Sequence, residues 1–351
     1  MHILVNDFIG GVLDRGIPLY VRNLVDGLRE EEFRVTVIRA PGYCRKMPRG
    51  VFYAIAVLFE QIVMPLIGLL LRADLTLYPY NSIAIIDVVT GRGRIVIHDL
   101  EQLNRGLSPS KLYYLACYRV LRWLNSHIFT ISALTHQRLI ESGLLGAGPI
   151  TTLPNTFHAF ERLVGLVANK RDPKTSILLC TGFTANKDLP TVIADYLPKL
   201  LAAGFRVSIL GLHRAPDTAK LGSFVSFLNS GQLRLCGQLT DREVAAEYRK
   251  HEIAWVHSLR EGFGRCVVEG RLAGCRVICT DIPEFTKLCD DDVCLYTNSN
   301  DFGSALNRLV QTDTPIRSYD SYPYRELLRE AIQEAQLSAR AAPAESWAIP
   351  R

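Results

Sequence analysis

The amino-acid sequence predicts an α/β protein made of two parallel sheets, each covered by helices. Short runs rich in valine, isoleucine and leucine alternate with helix-length segments along the chain, which is typical of parallel sheets packed against helices. This alternation stops once, at a polar and unpatterned stretch over residues 158–173, and then starts again. The 351 residues are enough for two domains of common size, each with its own core.

The first half of the chain is predicted to alternate strands with helices from its first residues. Its predicted strands are HILVND, RVTVIR, LTLYP, RIVIH, HIFTIS and ITTLP. Predicted helices lie at residues 18–29, 51–71, 110–125 and 133–142. Pro18 suits the first position of its helix, because an N–H group there would have no partner within the helix.

The second half of the chain repeats this pattern. Its predicted strands are SILLCTG, RVSILG, QLRLCG, IAWVHS, RVICTD and VCLYT. Its predicted helices are 189–203, 217–229, 241–250, 264–273 and 302–310, followed by an amphipathic segment at 324–335. Open α/β sheets bind ligands at the carboxyl ends of their strands. We therefore expect two such halves to face each other across a ligand-binding cleft.

The charge balance and the cysteines limit the class of partner and the compartment. Forty basic and 35 acidic residues leave a net charge of +5. This surplus is too small to indicate nucleic acid, but it favours an anionic ligand or an anionic membrane surface. The nine cysteines are scattered, mostly in apolar segments, and the chain begins with a predicted strand. We expect reduced thiols, no secretory leader and a cytoplasmic location.

Residues 51–71 form the longest apolar stretch, which is almost long enough to cross a bilayer. Glu60, Gln61 and Pro65 interrupt it, and it lies between two predicted strands of one domain. Two interpretations stay open: a helix buried in the core, or an interfacial helix that contacts the inner face of a membrane. Basic residues flank the stretch on both sides, namely Arg45, Lys46, Arg49 and Arg72.

The most informative segment is HSLREGFGRCVVEGRLAGCRVICTD, residues 257–281. It predicts a strand, a glycine-flanked turn, a helix and a second strand. Such a turn leaves the first N–H groups of the helix pointing outward, where they can hold a phosphate. Glu261 and Glu269 bracket the turn and suit sugar hydroxyls better than an anion. Eight helical positions span about 12 Å, which is close to the separation of the two sugars in a nucleotide sugar.

This segment resembles the C-terminal signature of the retaining glycosyltransferases of family four, which have the GT-B fold of two facing Rossmann-like domains. The resemblance implies that Glu261 faces the donor sugar as a catalytic residue. It also implies that Phe263 and Gly264 offer backbone amides to the donor diphosphate, and that Glu269 holds the ribose hydroxyls.

The resemblance extends over most of the chain and implies a division into domains. Residues 1–157 form an N-terminal, acceptor-side domain, and residues 158–173 form a linker. Residues 174–318 form the domain that binds the nucleotide sugar. In enzymes of this fold a C-terminal helix crosses back onto the first domain, and we expect residues 319–340 to do so. The remaining tail, 341–351, is expected to be loose.

Two segments in the first half contain candidate site residues. The loop DFIGGVLDRGIP after the first strand contains Gly10 and Gly11, which let backbone approach a bound group or simply form a turn. Its spacing differs from G-x-G-x-x-G, which argues against a nicotinamide enzyme. By the resemblance, this loop contacts the donor phosphates or the acceptor, and Arg15 adds a cation. His98, followed by Asp99 at a strand end, is implied to lie near the donor's anomeric carbon as a polar contact.

Lys187, in the loop LLCTGFTANKDLP, is the third predicted catalytic residue. The corresponding loop of the family supplies an arginine and a lysine to the donor diphosphate, and an ammonium there offsets charge on the leaving group. This chain keeps the lysine but has Phe183 where the arginine commonly stands. The missing cation leaves open a protein that binds its ligand without turnover.

The resemblance predicts a retaining glycosyltransferase that moves a sugar from a nucleotide diphosphate sugar, of the GDP-mannose or UDP-hexose type, to a hydroxyl of a growing glycan. The basic-flanked apolar stretch favours a lipid-linked acceptor, as in cell-surface polysaccharide or lipopolysaccharide biosynthesis. Enzymes of this fold generally work without a metal, so we expect no metal and no cofactor besides the donor. The alternatives are a glycosyltransferase-like binding or scaffold protein and a nucleotide-sugar epimerase.

Overall fold

A computed structural model describes residues 1–12, 16–100, 103, 106, 108–169, 171, 175–212, 227–289, 293–311 and 322–341. The chain divides into two compact units. The first unit comprises Met1–Thr156 and Tyr322–Arg351, and the second comprises Phe157–Ser321. Each unit contains one six-stranded parallel sheet. The predicted α/β class with two Rossmann-like domains is confirmed.

The sheet of the first unit has six strands: β1 (His2–Asp7), β2 (Arg34–Arg39), β3 (Leu75–Tyr78), β4 (Gly93–Ile97), β5 (Ile128–Thr130) and β6 (Ile150–Thr152). They lie in the order β2-β1-β3-β4-β5-β6, and all pairs are parallel. Every residue of β1, β3, β4 and β5 is buried, which explains their continuous apolar runs. The chain changes direction across the sheet at β1, and open α/β sheets bind ligands at such a point.

The helices of the first unit begin where the sequence provides starting signals. They are α1 (Ile17–Glu30), α2 (Arg49–Leu70), α3 (Ile85–Val89), α4 (Pro109–Trp123) and α5 (Ala133–Glu141). Pro18 lies in the first turn of α1. Ser108 and Ser132 cap α4 and α5, where their hydroxyls accept hydrogen bonds from the backbone N–H groups of Lys111 and Thr135.

Glu60 is a buried carboxyl group in the middle of α2, where the helix makes a π-helical turn over Phe59–Val63. Its oxygens accept hydrogen bonds from Asn6 Nδ2 at 3.1 Å, Ser82 Oγ at 3.0 Å and the Tyr113 hydroxyl at 2.5 Å. Burial raises the pKa of Glu60 to about 7, against the opposite effect of the bonds from Tyr113 and Ser82. This network fixes one face of α2 to the rest of the unit.

We expect Glu60→Gln to change how the stability of the first unit depends on pH. The folded pKa lies above the ordinary value of 4.5, so the carboxyl group stabilises the fold at low pH and loses that contribution as the pH rises through about 7. Glutamine does not titrate. The free energy of unfolding of the variant, relative to that of the wild type, should therefore rise by on the order of 2 kcal/mol between roughly pH 5 and 8. Thermal unfolding across this range measures the difference, and parallel curves would contradict the raised pKa.

The sheet of the second unit also has six strands: β7 (Ser176–Cys180), β8 (Arg206–Leu210), β9 (Leu233–Leu235), β10 (Ile253–Val256), β11 (Arg276–Thr280) and β12 (Val293–Tyr296). Their order is β12-β11-β10-β7-β8-β9, again with parallel pairs. Trp255 of β10 packs against Phe302 with ring centroids 4.9 Å apart and donates a hydrogen bond to the Tyr296 hydroxyl at 2.8 Å. The direction of the chain across the sheet changes at β7, so the ends of β7 and β10 are the expected ligand position.

The helices of the second unit are α6 (His158–Leu166), α7 (segments Leu189–Thr191, Val192–Tyr196 and Leu197–Ala202), α8 (Asp241–Lys250), α9 (Arg265–Leu272), α10 (Pro283–Thr286) and α11 (Ser299–Gln311). A capping box starts α8, because the side chains of Thr240 and Glu243 each bond the other's backbone N–H. Most of the predicted helix 217–229 lies outside the described residues, since 213–226 are not among them.

The predicted linker 158–173 differs from the structure. Its first part is α6, which lies in the second unit and contacts α8. Phe160 and Val164 are four positions apart and both are buried in the core, where the Phe160 ring meets Tyr248 edge-on at 5.7 Å. This i, i+4 apolar spacing marks a helix face. Other apolar residues of the segment, such as Leu163 and Leu166, hid this face in the sequence.

The C-terminal helix, α12 (Tyr322–Ala341), lies in the first unit. Its Glu334 accepts a hydrogen bond from Thr151 Oγ1 at 2.7 Å, and its Arg329 bonds Glu31 at 2.7 Å. The apolar face of α12 is buried and is formed by Leu328, Ala331, Ile332 and Ala335. Residues 342–351, most of the predicted tail, are outside the described part of the chain.

Candidate functional site

Two loops at the carboxyl ends of β7 and β10 are joined through Asn186. Its carbonyl oxygen accepts hydrogen bonds from Leu259 N at 2.7 Å and from Ser258 Oγ at 2.9 Å. Its side-chain amide donates to the Arg260 carbonyl at 3.1 Å. Because Asn186 directly precedes Lys187, these bonds fix the position of Lys187 against the loop that follows β10.

Lys187 and Glu261 form an ion pair, with Lys187 Nζ 2.5 Å from Glu261 Oε1. The two side chains are 17% and 19% exposed, so the pair is largely shielded from water. Burial acts to lower the pKa of Lys187, but the carboxylate of Glu261 and the neighbouring Cys266 outweigh it, and the pKa is raised. Lys187 is therefore a cation throughout the working pH range. Glu261 is held further by Glu284, whose Oε1 accepts a bond from Glu261 N at 3.3 Å.

The turn that joins Glu261 to α9 ends at Gly264, which has a φ of +98°. Gly264 is the N-cap residue of α9 and has no side chain with which to cap the helix. Its carbonyl oxygen accepts a hydrogen bond from Val267 N at 3.0 Å, which closes the first turn. Phe263, just before it, is buried. This geometry is the strand–turn–helix arrangement that the sequence predicts for a phosphate-binding turn.

Glu269 is a buried carboxylate on α9 that faces two donors. Arg265 Nη2 lies 3.0 Å from its Oε1, and the Tyr248 hydroxyl donates to its Oε2 at 3.4 Å. Burial raises the pKa of Glu269, and the charge of Arg265 opposes this effect. The Arg265 guanidinium lies over the Phe157 ring, 4.6 Å from its centroid. The glycine turn therefore lies between two carboxylate–cation pairs. Lys187–Glu261 precedes it, and Arg265–Glu269 follows it.

Tyr248 and Phe157 were not predicted from the sequence. They lie 21 and 112 residues away from Glu269 along the chain, and only the packing of α8 and α6 brings them to α9. Phe183, which stands where a cation was expected, is 43% exposed. The guanidinium of Arg265, a cation on the other side of the turn, is paired with Glu269.

His98 lies in the first unit, directly after β4, and is 6% exposed. Its Nε2 is buried without a hydrogen-bond partner among the described residues, and its ring bonds the Pro79 carbonyl and meets Tyr20 edge-on at 4.7 Å. Burial lowers the pKa of His98 to about 3, against the effect of the Pro79 bond. The imidazole is therefore neutral at any working pH. Asn81 holds the backbone here, since its Oδ1 accepts from His98 N at 2.8 Å.

Gly10 and Gly11 form a 3-10 turn at the end of β1. A methyl group on Gly11 would lie 2.3 Å from the Ala40 carbonyl oxygen, so packing alone accounts for this glycine. The turn borders a pocket of about 340 Å³ in the first unit. Three arginines line the pocket, and they come from three different segments: Arg22, Arg39 and Arg45. The predicted cation Arg15 lies outside the described residues.

The described residues contain no group of three histidine, cysteine or acidic side chains that could hold a metal ion.

The predicted site residues fall into two sets. Lys187, Glu261, Phe263, Gly264 and Glu269 lie together in the second unit. His98, Gly10 and Gly11 lie in the first unit, at the carboxyl ends of β4 and β1.

The two Rossmann-like units and the site at the ends of β7 and β10 define the GT-B fold, and solved structures share it over nearly the whole chain. Sucrose-phosphate synthase from Thermosynechococcus elongatus is 16% identical, with 97% of this chain and 98% of that chain covered and a TM-score of 0.63. HepE from Anabaena, in complex with UDP and glucose, is 17% identical, with 95% and 100% covered and a TM-score of 0.58. UDP-GlcNAc 2-epimerase from Methanocaldococcus jannaschii is 11% identical, with 95% and 100% covered and a TM-score of 0.60.

Residues 175–312 match the family model described as "Glycosyl transferases group 1". This match lies within the second unit and includes both carboxylate–cation pairs. A search of curated protein sequences found no match. The structural similarities, at these identities, establish the fold, and the family match concerns the second unit.

Proposed function

We propose that this protein is a glycosyltransferase that transfers a sugar from a nucleotide diphosphate sugar to a hydroxyl group. One observation carries the proposal: the pairs Lys187–Glu261 and Arg265–Glu269 lie on either side of a glycine turn that opens α9. Cations and a helix N-terminus suit a diphosphate, and carboxylates suit the hydroxyls of the sugars at its two ends. The family match over the same residues supports this assignment.

Lys187 acts on the leaving group in this proposal. Its ammonium stays charged because its pKa is raised, and it offsets the negative charge that develops on the departing diphosphate. Glu261 orients the donor sugar, and the amides of Phe263 and Gly264 bind the diphosphate. Transfer retains the anomeric configuration, so the acceptor oxygen bonds the anomeric carbon on the face from which the diphosphate leaves, and the hydroxyl proton passes to the departing diphosphate. The residues that hold the diphosphate supply the catalysis, and no metal or further cofactor is involved.

His98 acts as a neutral polar contact in the proposed reaction. Since burial lowers its pKa to about 3, the imidazole is too weak a base to take a proton near neutral pH. It can still accept a hydrogen bond at Nε2, which has no partner among the described residues. The arginine-lined pocket beside Gly10 and Gly11 supports a contact between the first unit and an anionic group of the donor or acceptor.

The donor is of the GDP-mannose or UDP-hexose type, and the acceptor is a growing glycan in cell-surface polysaccharide or lipopolysaccharide biosynthesis on the cytoplasmic side. A thermal-shift screen with ADP, GDP and UDP tests the donor site first. A nucleotide at about 100 times its Kd should stabilise the protein by roughly 2.7 kcal/mol. The matching sugar nucleotides are then assayed for transfer. Absence of any shift together with absence of transfer or donor hydrolysis would end the proposal.

Glu269 and Glu261 should separate nucleotide binding from transfer. Glu269→Ala should weaken binding of the free nucleoside diphosphate by about 10- to 100-fold, because a buried carboxylate is worth roughly 1.5 to 3 kcal/mol to its hydrogen-bond partner. Glu261→Ala should lower kcat more than it weakens that binding. Isothermal titration and initial rates measure the two effects.

A control for the glutamate variants is Glu247→Ala. Glu247 also pairs with an arginine of the second unit, Arg234, but lies on α8 away from the glycine turn. This variant should leave nucleoside diphosphate binding and kcat within about twofold of the wild type, since partly exposed ion pairs contribute little. If Glu261→Ala and Glu269→Ala behave like this control, the two glutamates do not form the donor site.

Two other functions have specific support. The fold is shared with UDP-GlcNAc 2-epimerase, so an isomerised donor formed without acceptor would favour an epimerase. Phe183 in place of a cation favours a binding or scaffold protein. That protein would bind a nucleoside diphosphate tightly and turn over no donor.

A further inference from the structure

The helix α2 exposes an apolar surface although it belongs to a folded unit. It is long and apolar enough to cross a membrane, with a mean hydropathy of 2.0, yet only 28% of its apolar window is buried. A core helix would bury most of such a surface. Large exposed apolar patches on a folded protein mark sites that bind another protein, a membrane or a ligand.

Two faces of α2 meet different surroundings. Buried side chains recur every fourth residue on one face, and these fix the helix to the unit: Phe52, Ala56, Glu60 and Met64. Exposed apolar side chains recur every third or fourth residue on another face, which we call the apolar stripe: Val51, Ile55, Leu58, Ile62, Leu66 and Leu69. The stripe is about 27 Å long at 1.5 Å per residue. It contains no charged residue, since the only acid of α2, Glu60, is buried.

The short helix α3 widens this surface. Gln61 of α2 donates to the Ile83 carbonyl at 2.9 Å and accepts a bond from Ile85 N at 3.1 Å. These bonds hold the start of α3 beside α2. Ile86 and Val89 of α3 are 53% and 42% exposed, and Ile85 is also exposed. The apolar surface is therefore a two-helix face and is wider than a single ridge.

Basic side chains lie at both ends of the apolar stripe. Arg45, Lys46 and Arg49 precede Val51 and are exposed. Arg72 follows the helix and is also exposed. An apolar helix face bordered by cations is the pattern that binds the headgroup–acyl boundary of anionic membranes.

The same charges disfavour other occupants of this face. Two copies of α2 packed in either direction would place cationic ends against cationic ends, and like charges in contact repel. A membrane-spanning position would pull Glu60 away from Asn6, Ser82 and Tyr113, which hydrogen-bond it inside the unit. The helix must therefore stay packed on the unit and meet the membrane only through its exposed face.

We propose that the apolar stripe docks the protein on an anionic membrane surface, with α2 lying parallel to the membrane plane. The docking stands on this surface alone. Its purpose, to bring the enzyme to a lipid-linked acceptor, rests on the proposed function. Leucine and isoleucine side chains of the stripe would enter the acyl boundary while the basic residues at its ends contact lipid phosphates.

Vesicle co-flotation of the full chain tests the docking. The wild type should bind vesicles of phosphatidylcholine with about 30% phosphatidylglycerol at low salt, and should bind pure phosphatidylcholine more weakly. Leu58→Gln with Leu66→Gln should reduce the partition coefficient at least tenfold, because each leucine contributes roughly 1 kcal/mol or more when it leaves water. Lys46→Gln with Arg49→Gln should reduce it about 30-fold on anionic vesicles, at roughly 1 kcal/mol per cation.

Leu166→Gln with Leu337→Gln is the matched control, because both leucines are about two-thirds exposed and lie on α6 and α12, away from the stripe. This control should bind vesicles like the wild type. Wild type that ignores anionic vesicles, or stripe variants that bind unchanged, would overturn the proposal. A dimer that the stripe variants dissociate, seen by analytical ultracentrifugation, would also overturn it. Nucleotide binding is measured on the same proteins without vesicles, so a failure of docking and a failure of the donor site are told apart.

Discussion

Replacing Lys187 with methionine should lower the rate of sugar transfer by about two to three orders of magnitude, the usual cost of removing one preorganised group that stabilises developing charge. Methionine keeps a similar volume but loses the ammonium 2.5 Å from Glu261 Oε1. In the proposed reaction, the diphosphate would then leave without this cation. Initial rates at saturating donor measure the loss, and we expect it in kcat more than in KM.

A second variant separates this chemical role from a structural one. Lys187→Met alone leaves the largely shielded carboxylate of Glu261 without its ion-pair partner, which itself destabilises the fold. Lys187→Met with Glu261→Gln removes both charges. The double variant should recover thermal stability but not activity. Recovery of transfer along with stability would mean that the pair only holds the loops together.

Lys199→Met is the control for this experiment. Lys199 lies on α7 in the same unit, is exposed, and makes one hydrogen bond to the Ser299 carbonyl. It should transfer sugar at the wild-type rate. An equal loss in this control would point to a general effect of reduced positive charge on donor binding.

The strands of both sheets were predictable from the sequence because their chemistry is local. Buried parallel strands are covered on both faces, so they contain apolar runs such as ILV in HILVND and ILLC in SILLC. The glycine turn before α9 was predictable for a similar reason, since a strand, glycines and a helix follow one another within a few residues. Each of these signals is complete within one segment of the chain.

The partners of the two glutamates were only partly predictable. A sequence motif identified Lys187. Its contact with Glu261 depends on Asn186, whose backbone and side chain join two loops more than 70 residues apart. Tyr248 reaches Glu269 only because α8 packs beside α9. A tyrosine within AEYRK gives no sign of this contact, because nothing in its own segment specifies the packing.

The sequence does not determine which side of α2 packs against the protein, and the reason is physical. Its apolar residues cover every side of the helix, so hydrophobic periodicity does not identify a buried face. The structure settles which side packs: Phe52, Met64 and the Glu60 network face the unit, and Leu58 and Leu66 face outward. The same lack of periodicity concealed α6, where other apolar residues such as Leu163 and Leu166 lie around Phe160 and Val164.

Gly264→Ala should damage both the stability and the nucleotide affinity of the second unit. A φ of +98° is costly for any residue with a side chain, and the new methyl carbon would lie 2.8 Å from Phe285 Cδ1 and 3.0 Å from Leu288 Cδ1. Relief of this clash requires the turn to move. We expect a loss of about 2 to 4 kcal/mol, or about 10 °C in the melting temperature. We also expect at least tenfold weaker binding of the nucleoside diphosphate well below that temperature.

Gly303→Ala provides the comparison that makes this result interpretable. Gly303 lies within α11 of the same unit, and a methyl group there would meet nothing within 4 Å. Alanine in a helix interior should leave stability unchanged or raise it by up to about 1 kcal/mol, and affinity should not change. Folded Gly264→Ala protein that binds nucleotide as well as Gly303→Ala would show that the turn does not hold the diphosphate. Since Phe263, Gly264 and both carboxylate–cation pairs depend on the shape of that turn, the donor site would then have to lie elsewhere.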